Sequence, residues 1–140
     1  MSSEPRREVT LGEQLPPVVR ETGFANWNRY AAVNDEFVPI HMDDEAGRAA
    51  GYPAAFGMGN LQWAYLHIIV RGWMPAGSRL LSMKCQFRGA NVKGQTVTAR
   101  GEVIAIDDAA DGRRATVKVW TEDQTGTPLA PGEAVVLLPG

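Results

Sequence analysis

Asp35 and Glu36 stand side by side in the stretch Tyr30-AAVNDEFVPI-His41, five or six residues ahead of a histidine. Pro39 precedes His41 by two positions. Proline fixes its own φ and disfavours helix at Val38, so the chain reaches His41 along a restricted path. The residues read as a loop that presents a carboxylate and an imidazole. Facing one site, such a pair divides acid and base work: one group takes a proton from water, the other gives one to carbon. The same residues also fit a purely structural role, in which His41 caps the next helix or bonds a main-chain carbonyl and the two acids are solvated.

Elements on either side must hold that loop in place. Phe24, Trp27 and Tyr30 recur every third residue and predict a short helix or turn leading into it. After His41, Asp43 is expected to cap a short helix with Asp44 and Glu45 in its first turn, ended by Gly51. Residues 57–73 predict one long helix. Leu61, Tyr65, Ile68 and Ile69 recur at helical spacing, and Trp63 and Leu66 widen the apolar face, which implies a helix wrapped on most sides. Tyr65, Trp63 and Trp73 are expected in the core or as pocket wall, and His67 in the core or at an interface. Gly57-Met58-Gly59 opens the helix and suits an N-terminus that another group approaches closely.

The rest reads as strands: residues 79–88 with Leu81, Met83, Cys85 and Phe87 on one face, then 96–106, 115–121 and 134–138, with turns at 107–112 and 124–127. Residues 9–19, broken by Gly12 and Pro16-Pro17, suit an edge or entry segment. Residues 1–8 are expected to be a frayed arm. A curved antiparallel sheet around a single helix satisfies this order.

The chain has 140 residues, the size of one domain, and that is the expectation for 1–140. Its formal charge of −2 gives no reason to expect nucleic acid or an anionic membrane as partner. One cysteine, Cys85, cannot form an internal bridge and fits a buried structural thiol in a reducing, cytoplasmic setting. No P-loop, dinucleotide glycine pattern or nucleophile elbow occurs, and two histidines at unrelated spacing make no metal site. No cofactor and no metal are therefore expected.

The loop resembles a motif of the MaoC-like, R-specific enoyl-CoA hydratases, Tyr-x-x-x-Ser-Gly-Asp-x-Asn-Pro-Ile-His. Without a gap, Asn34 takes the Ser position, Asp35 the Gly, Glu36 the Asp and Val38 the Asn, while Pro39, Ile40 and His41 match. Ala-Gly-Tyr-Pro and Phe56-Gly57-Met58 resemble the family's Ala-Gly-x-Pro and His-Gly-Met, with Phe56 at the His. Phe87 to Thr96 resembles its Phe-x-x-Pro-Val-x-x-Gly-Asp junction.

The resemblance implies an α+β hot-dog fold, a curved antiparallel β-sheet around one long central α-helix. It also implies hydration or dehydration of an acyl thioester, on CoA or an acyl carrier, by a homodimer or a heterodimer with another hot-dog chain. Glu36 and His41 would be catalytic, with Asp35 the alternative carboxylate. Gly57, through its N–H, would stabilise the enolate oxygen, with Met58 and Asn60 beside the substrate. A non-catalytic or partner-dependent acyl-CoA-binding subunit, and a thioesterase, are the alternative activities.

Overall fold

The computed structural model describes residues 7–140, so the expected arm lies outside the described residues over 1–6. Arg7, at its end, is held: its guanidinium donates to Glu13 Oε2 at 2.7 Å and to the Trp73 carbonyl. The elements follow as β1 (Val18–Glu21), α1 (Phe24–Asn34), a single 3₁₀ turn (Pro39–His41), α2 (Asp44–Ala49), α3 (Gly59–Trp73), β2 (Arg79–Cys85), β3 (Thr96–Ala109), β4 (Gly112–Glu122) and β5 (Pro128–Leu137). Among the described residues no helix is long and apolar enough to cross a membrane.

The five strands make one antiparallel sheet in the order β1-β3-β4-β5-β2. Alternation along β3 and β4 buries Val97, Ala99 and Val103 and then Ala115, Val117 and Val119, all on the face that meets α3. The helix answers with Leu61, Tyr65, Leu66, Ile69, Val70 and Trp73, one continuous stripe at helical spacing. Trp73 anchors the far end of α3 by donating its indole N–H to Glu13 at 2.5 Å. This is the curved sheet wrapped on one helix that the hot-dog resemblance implied.

Four expectations need correction. The helix begins at Gly59 rather than 57 and is covered on one side only: Ile68 is 44% exposed, and His67 lies half-buried edge-on to the Trp63 ring at 4.9 Å. The sheet covers one face of α3, so the extra apolar residues on the other face remain open. In β2 a register shift between Leu80 and Ser82 turns the strand, so Leu80, not Leu81, joins Met83 and Cys85 on the core side. The strand ends at Cys85, and Phe87 is 53% exposed.

Candidate active site

The loop that carries the acids begins where α1 ends. Asp35 caps the helix in the left-handed region, φ 52° and ψ 43°, with its N–H donated to the Ala31 carbonyl. Aspartate tolerates that conformation better than most residues, although glycine adopts it freely. Asp35 is exposed, whereas Glu36, the next residue, is half-buried and donates its N–H to the same Ala31 carbonyl at 3.0 Å. Burial, and then the charge of Glu36, push the Tyr30 phenol above its ordinary pKa, which puts the Glu36 carboxylate near that ring.

His41 closes the 3₁₀ turn and is 8% exposed. Its Nδ1 lies 2.6 Å from the Phe56 carbonyl oxygen. A carbonyl only accepts, so Nδ1 carries the hydrogen, and in the neutral ring Nε2 keeps a free lone pair. The Phe56 ring stands edge-on to the imidazole, centroids 5.5 Å apart, and stacks at a tilt on Tyr52 at 4.4 Å. Among the described residues no hydrogen bond joins Glu36 to His41.

The segment behind His41 is fixed by one carboxylate. Asp44, in the first turn of α2, accepts the Ala55 N–H at 3.1 Å and pairs with Lys93. Lys93 in turn donates its own N–H to the Ala55 carbonyl at 2.9 Å, and Phe56 donates to the Ile40 carbonyl at 3.1 Å. The Lys93 hydrogen bond, then that from Ala55, holds the Asp44 carboxyl below the usual carboxylate value. Asp44 thus ties α2, the Phe56 segment and the β2–β3 loop into one frame around His41.

The N-terminus of α3 differs from expectation. The Gly57 N–H is donated to the Asn91 carbonyl at 2.7 Å, so it does not point at a site. Glycine is needed at 57 for another reason: a Cβ there would lie 2.8 Å from Nε1 of the fully buried Trp27. Met58 is 2% exposed and packs in the core, so its side chain is out of reach of a bound molecule. Asn60 is exposed on the first turn. Leu61 folds its N–H back to the Met58 carbonyl at 3.1 Å. The N–H groups of Gly59 and Asn60 are first-turn donors, which lack intrahelical acceptors. Gly59 borders a cavity of about 220 Å³ with Tyr52, Phe56, Gln62 and Phe87.

Asn91 and Gln62 were not singled out by the sequence patterns, and Asp44 was expected only as an acid in the first turn of its helix. Asn91 is buried at 1%, with Nδ2 donating to the Thr22 hydroxyl at 2.9 Å, and it holds Gly57 from a loop more than thirty positions away. Of the two, Gln62 left a signal in the sequence as a polar residue within an otherwise apolar helix stripe.

No protein-family model matches the chain. An (R)-specific enoyl-CoA hydratase of Aeromonas caviae is 28% identical over 118 residues, which cover 84% of this chain and 87% of the relative. The solved (R)-hydratase of A. caviae, described as involved in PHA biosynthesis, superposes with a TM-score of 0.79 at 25% identity, covering 95% of this chain and 99% of that one. A MaoC-like dehydratase from Rhodospirillum rubrum gives 0.78 at 17% identity and covers 94% of each chain. The chain thus has the hot-dog fold and is similar to (R)-specific enoyl-CoA hydratases and MaoC-like dehydratases. Within the chain the 3₁₀ turn and the Phe56 segment meet at His41. Of the three departures from the family motif, Val38 accepts the His41 main-chain N–H and Phe56 contacts the imidazole, while Glu36 lies in the loop ahead of them.

Proposed function

We propose that this protein is a lyase that adds water to a 2-enoyl thioester and removes it from the 3-hydroxyacyl product. The carrying observation is the Nδ1–H of His41 donated to the Phe56 carbonyl, which leaves Nε2 as a hydrogen-bond acceptor. A water held between that nitrogen and the Glu36 carboxylate loses a proton to one of them as its oxygen bonds to the β-carbon. The electron pair of the double bond moves toward the thioester, whose oxygen becomes an enolate. The enolate then collapses as the group that took that proton delivers it to the α-carbon, which returns Glu36 to the carboxylate and His41 to its neutral form. The Gly59 and Asn60 N–H groups, at the positive end of α3, are suited to the enolate oxygen. They take the place first expected of Gly57.

Asp35 supports the assignment of Glu36. A left-handed residue at 35 fits the position the family motif gives to glycine, which leaves Glu36 at the carboxylate position. The test is to mix the purified chain with crotonyl-CoA and with longer and cyclic enoyl-CoAs and follow the enoyl absorbance. Consumption of at least one supports the reading; inertness toward all of them contradicts it.

A second reading rests on Val38 and Phe56, apolar residues where the motif has Asn and His. With these changes the chain would bind an acyl thioester and leave the chemistry to a second hot-dog chain. Co-purification with such a chain, with turnover only in the complex, favours it. Turnover by the chain alone removes it.

A further inference from the structure

Residues 55–57 run between two neighbours, and their peptide groups alternate from one to the other. The Phe56 N–H is donated to the Ile40 carbonyl at 3.1 Å, and the Phe56 carbonyl accepts His41 Nδ1–H at 2.6 Å, both toward the histidine turn. Toward the β2–β3 loop, the Ala55 carbonyl accepts the Lys93 N–H at 2.9 Å and the Gly57 N–H is donated to the Asn91 carbonyl at 2.7 Å. The carbonyl that fixes the His41 tautomer is therefore only as steady as this rung. By itself the rung is slight, an isolated bridge between Phe56 and Val92. Short two-stranded pairings of this kind are marginal without further support.

That support comes from side chains that join the two flanks. Lys93 reaches from the loop side and pairs with Oδ2 of Asp44, which lies just beyond the histidine turn in α2. The other Asp44 oxygen, Oδ1, accepts the Ala55 N–H at 3.1 Å. A ring closes in this way: Lys93 side chain to Asp44, Asp44 to the Ala55 N–H, and the Ala55 carbonyl to the Lys93 N–H. Ala55 is fully buried, with both of its main-chain groups committed to that ring. A Cβ at Gly47 would lie 2.1 Å from the Ala54 carbonyl oxygen, so α2 also packs directly on this segment. Packing sets the distance between them, whereas the hydrogen bonds set the orientation of the peptides.

We propose that Lys93, acting through Asp44 and Ala55, is a positioning residue for His41. The ion pair steadies the Phe56 carbonyl, so that Nδ1 keeps its hydrogen and Nε2 stays bare. The alternative is a surface ion pair with no influence on the imidazole. The Lys93 and Asp44 side chains are 32% and 29% exposed, and a pair so placed contributes little to global stability. Its removal leaves the fold standing and falls on local geometry. A reacting group displaced by about 1 Å costs on the order of a hundredfold in rate. The consequence for rate rests on the hydration reading above; the consequence for the tautomer does not.

The test compares the full chain, labelled with ¹⁵N-histidine, with Lys93→Met, which removes the charge and keeps the main-chain bond to Ala55. The unaltered neutral ring is expected to show a protonated Nδ1 and a bare Nε2. In Lys93→Met the Nε2 signal is expected to move toward the protonated value as the tautomers mix. The melting midpoint should stay within about 4 °C. For enoyl-CoA hydration, kcat is expected to fall roughly 10- to 100-fold while KM changes less than about threefold. Asp44→Asn should show the same effects and decides the matter where Lys93→Met does not fold. An unchanged tautomer in the folded variant, or an unchanged kcat where the unaltered chain turns over, overturns the inference. A lowered melting midpoint without either change marks a merely structural pair and overturns it as well. If the unaltered chain hydrates none of the enoyl-CoAs, the hydration reading falls, and the spectra still decide the role of Lys93.

Discussion

The His41 imidazole and the Phe56 carbonyl, fifteen residues apart in the chain, are joined by a 2.6 Å hydrogen bond that assigns the ring's hydrogen to Nδ1. The residue whose side chain departs from the family motif thus still orients the histidine, through its main chain. A side-chain substitution at 56 leaves this bond available. In ¹⁵N-histidine spectra, neutral His41 is expected to show a protonated Nδ1 and a bare Nε2. The opposite tautomer would remove Nε2 as the acceptor for water.

Asp35 and Glu36 are separable by substitution. Asp35→Gly relieves a left-handed aspartate and is expected to leave stability unchanged or raise it by up to about 1 kcal/mol, with turnover retained. Chemical denaturation and an initial-rate assay check both halves. Loss of turnover in Asp35→Gly with an intact fold would move the catalytic carboxylate to 35.

Gly57 and Gly59 should respond differently to alanine. At 57 the new methyl meets buried Trp27, so Gly57→Ala should destabilise the fold by about 1–3 kcal/mol. At 59 it meets the exposed Phe87 ring, and a gain in helix propensity of about 0.5–1 kcal/mol offsets the contact. Gly59→Ala should therefore keep its denaturation midpoint and lose substrate binding, because the methyl enters the cavity.

Asp44 links the site's frame to pH. Its carboxyl titrates below the usual value of 3.8, through Lys93 first and Ala55 second. A depressed folded-state pKa contributes stability above the unfolded value and loses it as pH falls through the folded one. Urea midpoints followed from about pH 6 down to about pH 3 should fall, and fall less steeply in Asp44→Asn. Parallel curves for the two proteins would contradict this coupling.

The fold was largely legible because periodicity is a local property. The stripe on α3, the Asp43 cap and the alternation along β4 each report a buried face within a few residues. The β2 bulge was not legible, since a register shift is set by the pairing with β5. The site divided along the same line. Glu36 and His41 were visible as residue types in a loop, whereas the commitment of the Gly57 N–H depends on Asn91, a loop residue brought in by tertiary packing. Trp27 and Gly57 likewise explain each other only once both are placed.

The central claim is that Glu36 and His41 share one reacting water. The most direct measurement is the single-turnover rate of enoyl-CoA hydration by the unaltered chain, Glu36→Gln and His41→Asn, each checked for an unchanged melting transition and unchanged affinity for a saturated acyl-CoA. Each variant is predicted to lose about 10²–10⁴ in rate, and the double variant little more than the worse single one. Retention of near-full rate by either folded single variant would contradict the account.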